Sequence, residues 1–363
     1  MGSSTSVAAG RRRHKARDRL LLRWHRWLGL LALVFLLLAA LSGCLLTYKQ
    51  ALIRAIITPG ITLPATYGVA QMAPQLEVIA GRIQGDSSGY LIKAPNSEEP
   101  YWTLTRDADR QVQLLAWDSL QPHQQNLWLL QALSFIRELH TELFAGVVGE
   151  AILLVSGLLG LFLALSGLVI WWATKRSFRW RWVLPRQFNR SYLMHYHRHS
   201  GALMLPILLV ILLTGSIMLW QKLTQPLLTP PPPTQLPRAM ASAASASAGE
   251  WLAFAQQQVP DGWPTYIRLP APGVAAVTVR YRLPGEWHPN GRTSVKIDLP
   301  DGSLTLSARA DEVDWPQRLI NQNYPLHSGY GMHGGYKLVV LIGGITLFWL
   351  SLTGGWSFIR RHH

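Results

Sequence analysis

Four histidines stand at matched positions along this chain, each at the start of a long apolar run. "HRWLG" (25–29) and "HRHSG" (197–201) open two runs, and "LHT" (139–141) and "LHS" (326–328) open two others. His25 lies 18 residues before Gly43 and His197 lies 18 before Gly215, with Ser42 and Thr214 immediately preceding those glycines. His140 precedes Gly157 by 17 residues and Gly167 by 27, and His327 precedes Gly344 and Gly354 by the same intervals. An imidazole with a free ring nitrogen is a metal ligand. Two of them at one depth, with no cysteine or carboxylate set nearby, do not complete the tetrahedron zinc prefers. They do suit the axial positions of a haem iron, with His25 and His197 at one level, His140 and His327 at the other, and Gly43, Gly215, Gly157 and Gly344 leaving room for the rings. The competing interpretation makes them interfacial belt residues and close-packing glycines. Four in register weigh against it, because ionisable groups at membrane depth are usually functional.

The elements that must position these residues are membrane helices. Four stretches exceed the roughly 20 apolar residues a bilayer core requires. They predict transmembrane helices over 20–48, 139–172, 196–221 and 326–359. The matched spacings divide the chain into two tandem repeats of helix, outward segment and helix, related by a pseudo-two-fold axis along the membrane normal. The predicted fold class is therefore a membrane α-helical protein of four transmembrane helices, with α+β periplasmic segments after the first and third.

The formal net charge is +15, and its placement argues against nucleic acid as the partner. Eight Lys/Arg fall in 11–26 and seven in 173–199, the latter without an acidic residue, whereas 49–138 carries seven basic and eight acidic residues and 222–325 nine and eight. This positive-inside pattern predicts a cytoplasmic tail (1–19), a cytoplasmic loop (173–195) and a cytoplasmic C-terminus (360–363, with Arg360 and Arg361). The segments 49–138 and 222–325 then face outward, and anionic membrane lipids account for the basic excess. The single cysteine, Cys44, excludes a disulfide framework and a CxxCH haem-attachment site. "LSGC" is similar to a lipoprotein cleavage box, but its apolar run is longer than the about 7–15 residues of a signal h-region.

Other charges lie in or beside the spans. Glu150 and Lys337 each follow their histidine by ten residues, which predicts an ion pair between spans two and four. Alternatively, Lys337 meets a haem propionate and Glu150 handles protons. Arg26 and Arg198 directly follow their histidines and either neutralise propionates or anchor the helix ends. His195, His199 and His333 are neighbouring substitutes as ligands, with His333 the rival to His327. His14, His362 and His363 are expected in solvent.

The outward segments carry strand and turn signals at 101–118, at "VAAVTVRYRL" and at "TSVKIDLPDGSLTLSA", interrupted by a Pro/Ala/Ser-rich linker over 229–249. Trp263, Trp287, His288, Trp315 and Tyr324 are candidate ligand contacts there, or else packing and interfacial residues. No Rossmann glycine motif, P-loop, Ser-His-Asp order or HExxH is present. Electrons would come from a separate cytoplasmic reductant or from quinol.

"HRWLGLLALVFLLLAALSG", "LHTELFAGVVGEAILLVSGLLGLFLALSGLVIWW", "HRHSGALMLPILLVILLTG" and "LHSGYGMHGGYKLVVLIGG" resemble the PepSY-associated transmembrane-helix family, and "GEWHPNGRTSVKIDLPDGSL" resembles its outer segment. Within it, the layout is most similar to inner-membrane siderophore-iron reductases of the ferrioxamine B type. The resemblance implies a b-type protein with two haems, ligated by His25, His140, His197 and His327. It also implies an enzyme of the bacterial inner membrane that reduces ferric siderophores at the periplasmic face and releases Fe(II). Two other functions remain open: a quinol-fed haem carrier serving another acceptor, and a haem-free membrane-anchored PepSY sensor or protease-modulating protein.

Overall fold

The computed structural model describes residues 3–172, 178–187, 189–224, 234–236, 240 and 243–359, with the backbone alone for 3–16, 190, 234–236 and 359. Residues 173–177 and 188 of the predicted loop, much of the 229–249 linker, Arg360, Arg361, His362, His363 and the side chain of His14 lie outside the described residues.

In chain order the helices are α1 (Ser3–Thr47), α2 (Lys49–Ile56), α3 (Val69–Ile83), α4 (Leu127–Glu142), α5 (Gly146–Trp172), α6 (Arg190–Thr224), α7 (Ala248–Gln258), α8 (Trp315–Asn321), α9 (Asn323–Ser328) and α10 (Gly334–Ile359). The strands are β1 (Tyr90–Lys93), β2 (Tyr101–Arg106), β3 (Val112–Ala116), β4 (Thr234–Leu236), β5 (Trp263–Arg268), β6 (Ala276–Arg282), β7 (Thr293–Asp298) and β8 (Leu304–Leu306). The chain divides into a helical unit (Met1–Thr47, Ser134–Thr229, Leu326–His363) and a sheet unit (Tyr48–Leu133, Pro230–Pro325).

Among the described residues, four helices are long and apolar enough to cross a membrane: Arg17–Thr47, Gly146–Trp172, Ser191–Thr224 and Gly334–Phe358. Their outward faces are apolar (Leu31, Val34, Val148, Val155 and Ile345 are exposed), the reverse of a water-soluble bundle. The four pack in a ring, α1 against α5, α5 against α6, α6 against α10 and α10 against α1. That order sets α1 diagonally across from α6, and α5 across from α10, as the tandem repeat requires. Ala32, Leu36 and Leu212 pack with Leu159, Leu163 and Leu347 into an apolar layer inside the ring.

Two predicted boundaries move. Spans two and four begin at Gly146 and Gly334, not at 139 and 326, because the chain turns sharply after each histidine. After His140 the turn runs through Leu143, Phe144 and Gly146, all with φ between 50° and 58°. After His327 it runs through Gly329 and Gly331, with φ of 71° and 79°. Left-handed backbone cannot continue a right-handed helix. His140 therefore sits in the last turn of α4 and His327 in α9, each on a short helix that precedes its span.

The two segments between the spans, 49–138 and 222–325, do not fold as separate modules. Among the described residues their strands make one eight-stranded antiparallel sheet, ordered β3-β2-β1-β5-β6-β7-β8-β4. The halves join at β1 and β5, with Leu91 opposite Arg268, Ile92 opposite Ile267 and Lys93 opposite Tyr266. One sheet face buries Ile92, Trp102, Ile267, Val277, Val279, Val295 and Ile297 against Met72, Leu76 and Ile79 of α3 and Leu252 and Ala255 of α7. Residues alternate faces along a strand, so Lys93, Tyr266 and Arg280 belong to the opposite face. At the β2–β3 end that second face is covered by Ile53 and Ile57 and by Leu129, Leu130 and Leu133 around Tyr101 and Leu114.

Candidate functional site

The four histidines of the sequence pattern occupy four copies of one arrangement in the helical unit. His25 of α1 meets Ser166 of α5, Nδ1 to Oγ, at 2.8 Å, and His197 of α6 meets Thr353 of α10 at 2.9 Å. His140 meets Ser42 of α1 at 3.0 Å, and His327 meets Thr214 of α6 at 3.4 Å and the Ile211 carbonyl at 2.9 Å. Every contact uses Nδ1.

The hydroxyl partners fix the tautomer. Ser42 donates to the Leu38 carbonyl at 2.6 Å, Thr214 to Val210 at 2.6 Å, Thr353 to Trp349 at 2.8 Å and Ser166 to Leu163 at 3.2 Å. A hydroxyl has one proton to give. With that proton spent on its own helix, its oxygen accepts from the imidazole, so Nδ1 carries hydrogen and Nε2 keeps its lone pair. For His327 the conclusion is direct, because the Ile211 carbonyl can only accept. This is the protonation state a metal-binding histidine needs, held by a partner that also sets the ring plane.

Glycines sit against these rings. A Cβ at Gly43 would stand 3.0 Å from the Cε1 of His140, and one at Gly215 2.8 Å from that of His327. At the other level Gly167 lies against His25 and Gly354 against His197, at 3.4 and 3.7 Å. Gly157 and Gly344 are elsewhere: they pack on Ser216 and Cys44, each one residue beyond Gly215 or Gly43, and so at the His140–His327 level. Seventeen residues of unbroken helix from each histidine would instead put them at the His25–His197 depth. The turns after His140 and His327 remove that rise.

The ring centres of His140 and His327 are 6.0 Å apart and tilted by 43°. Two imidazoles sharing one metal at about 2 Å from each Nε2 place their ring centres about 6 Å apart. His25 and His197 line one cavity of about 340 Å³ within the ring of helices, together with Arg26, Arg198, Gly29 and Gly201. The 17 residues of α1 from His25 to Ser42 set the two levels about 25 Å apart. Among the described residues no three metal-ligating side chains converge. The donor set at each level is two imidazoles, which suits a metal whose remaining ligands come from a macrocycle.

The rival histidines are used differently. His333 is exposed, and its Nδ1 accepts the Gly335 N–H at 3.1 Å at the start of α10. His195 stacks on Trp182 at 4.7 Å, and the Nδ1 of buried His199 donates to the His195 carbonyl at 2.7 Å. The expected Glu150–Lys337 pair is not formed. Glu150, buried on α5, pairs with Lys222 of α6, and Lys337 stands 5.7 Å from the Tyr330 ring centre. Equal offsets from the two histidines did not put both groups on facing sides of their helices. Arg26 stands 5.9 Å from the Phe358 ring centre.

Sequence reasoning missed Ser166 and Thr353. The signal was present: a hydroxyl residue immediately precedes glycine at Ser42-Gly43, Ser166-Gly167, Thr214-Gly215 and Thr353-Gly354.

In the sheet unit, His288 is buried and its ring lies 5.4 Å from that of Tyr324. Burial, and then the positive charges of Arg292, Arg280, Arg282 and Lys93, push its pKa down to about 3. Trp263 donates its indole N–H to the Pro95 carbonyl at 3.0 Å, a packing role, while Trp287 and Trp315 are exposed.

No curated protein matches the chain. The sequence matches the family of the PepSY-associated TM region over residues 22–361, a stretch that holds all four spans and both histidine pairs, and the chain belongs to that family.

Proposed function

We propose that this protein is a di-haem b-type electron conduit of the bacterial inner membrane that reduces ferric siderophores at the periplasmic face, so that Fe(II) is released for uptake. The observation that carries the proposal is the fourfold repetition of one ligand environment, an imidazole whose Nδ1–H is held by a serine or threonine of a neighbouring helix. Haem bound between paired imidazoles supplies one-electron exchange at each of two depths. The chain's own part is to present Nε2 lone pairs, to open space beside His25 and His197, and to place Arg26 and Arg198 where acidic haem substituents need neutralising. The layer of Ala32, Leu36 and Leu212 keeps water out between the levels.

The basic flanks of residues 11–26 and 173–199 support a cytoplasmic position for the His25–His197 level, near a soluble reductant or quinol. The His140–His327 level then faces the periplasm. The ferric chelate takes up one electron there, and its oxygen donors hold the less charged Fe(II) more weakly. The chelator oxygens recover protons from water as the metal leaves.

The test is haem quantification on the purified protein, with anaerobic reoxidation of the dithionite-reduced form by ferric siderophores. Two haems per chain, reoxidised by the chelates with Fe(II) appearing, is the expected result. A folded but colourless protein overturns the proposal and favours a membrane-anchored sensor. Alanine at His25, His140, His197 or His327 should each lower haem content.

A further inference from the structure

The sheet face opposite α3 and α7 gathers positively charged side chains. Lys93 pairs with Tyr266 across β1 and β5, and Tyr266 with Arg280 across β5 and β6. The two cations stand over the Tyr266 ring, each 5.8 Å from its centre. Arg282 and Arg292 flank the same region, and all four cations act on the buried ring of His288. Three carboxylates reach this region: Glu99, Glu286 and Asp311, whose own ion-pair partner is Arg309. Glu99 pairs with Lys93. Glu286 accepts the Leu283 N–H at 3.0 Å through Oε2, while its Oε1 is buried without a partner. Among the described residues neither Arg280 nor Arg292 has a carboxylate partner. Guanidiniums clustered on one sheet face raise the local positive potential and concentrate anions there.

His288 adds a neutral donor. Its Nδ1 accepts the Asn290 N–H at 3.2 Å, so the ring proton of the neutral form is on Nε2. Two guanidiniums and an imidazole N–H offer fork-shaped donors suited to carboxylate oxygens. The aromatic rings of Tyr266 and Tyr324 border them.

We infer that Arg280, Arg292 and His288 form a binding site in the sheet unit for the carboxylates of an anionic ferric chelate. The choice of a ferric chelate among carboxylate ligands rests on the function proposed above; the anion site itself does not. The site therefore favours polycarboxylate complexes through charge.

The experiment uses the full-length purified protein and gallium citrate, which copies the charge and shape of a ferric tricarboxylate but takes no electron. Binding is read by calorimetry and by the rise in melting temperature. Wild type should bind gallium citrate, and Arg280→Gln with Arg292→Gln together should weaken it about 100-fold, since each substitution removes a charged fork that would hold a carboxylate. Arg268→Gln, on the same face but paired with Asp107, should not weaken it. The double variant should melt at or above the wild-type temperature without ligand, because it sheds repulsion. Its unfolding at lower temperature would overturn the charge argument. Unchanged affinity in the double variant, equal binding of a cationic gallium trihydroxamate, or equal binding of inorganic phosphate would overturn the site. Gallium citrate binding that persists in a protein without haem would leave this site standing and remove the redox proposal alone.

Discussion

The Nδ1 of His25 donates to the Oγ of Ser166 at 2.8 Å, across 141 residues of chain, and His197 repeats the contact with Thr353 at 2.9 Å. The hydroxyl commits the ring to one tautomer and one plane, as the proposed haem ligation requires. Removing it should uncouple orientation from presence. Ser166→Ala and Thr353→Ala are expected to keep the fold but to weaken cofactor retention about 10–100-fold, the usual cost of losing such a partner. Haem loss to apomyoglobin over time measures this. Ser166→Thr should restore retention.

The glycines beside the rings predict a graded series. Gly215→Ala and Gly43→Ala put a methyl 2.8 and 3.0 Å from the Cε1 of His327 and His140, so the ring must move. Each should cost about 1–3 kcal/mol, as overpacking does, and should disturb the spectrum of one haem level. Gly167→Ala and Gly354→Ala, at 3.4 and 3.7 Å, should be milder. Thermal unfolding with visible spectroscopy separates the two effects.

Glu150 on α5 and Lys222 on α6 form an ion pair between the two repeats in the helical unit. The Glu150 side chain is 5% exposed and that of Lys222 54%. Breaking a fully buried pair costs about 3–5 kcal/mol, and Lys222's access to water brings Lys222→Met to about 2 kcal/mol. A double-mutant cycle of Glu150→Gln with Lys222→Met should show coupling. The same cycle with Lys337→Met should show additivity.

His288 makes the sheet unit sensitive to acid. Its pKa falls from an ordinary 6.5 to about 3 on folding, so the unfolded chain binds the proton more readily. The stability it contributes is complete above pH 6.5 and is lost as pH falls toward about 3. The slope in that window should approach about 1.4 kcal/mol per pH unit. His288→Asn should flatten it. Denaturant unfolding at several pH values reads the difference directly.

The spans and the four histidines were legible because membrane helices announce themselves by length and the duplication repeats its spacings. The ring order of α1, α5, α6 and α10 then follows with little freedom. The pairing of Leu91 with Arg268 was not legible, since a strand's own pattern shows which face is buried and not which distant edge it meets. The Glu150 partner was misplaced for a related reason. Counting from a histidine assumes continuous helix, and Leu143 and Phe144 break it. Ser166 and Thr353 lay hidden in plain composition, because a hydroxyl inside an apolar helix usually satisfies itself on its own backbone.

The joined sheet also dictates the order in which the chain can mature. Until residues 263–268 have been synthesised, the Leu91–Lys93 strand has no neighbour on its β5 side. An orphan edge invites other chains. The first repeat expressed by itself should therefore aggregate through that strand, and the gene cannot be split between its two halves without splitting one folding unit.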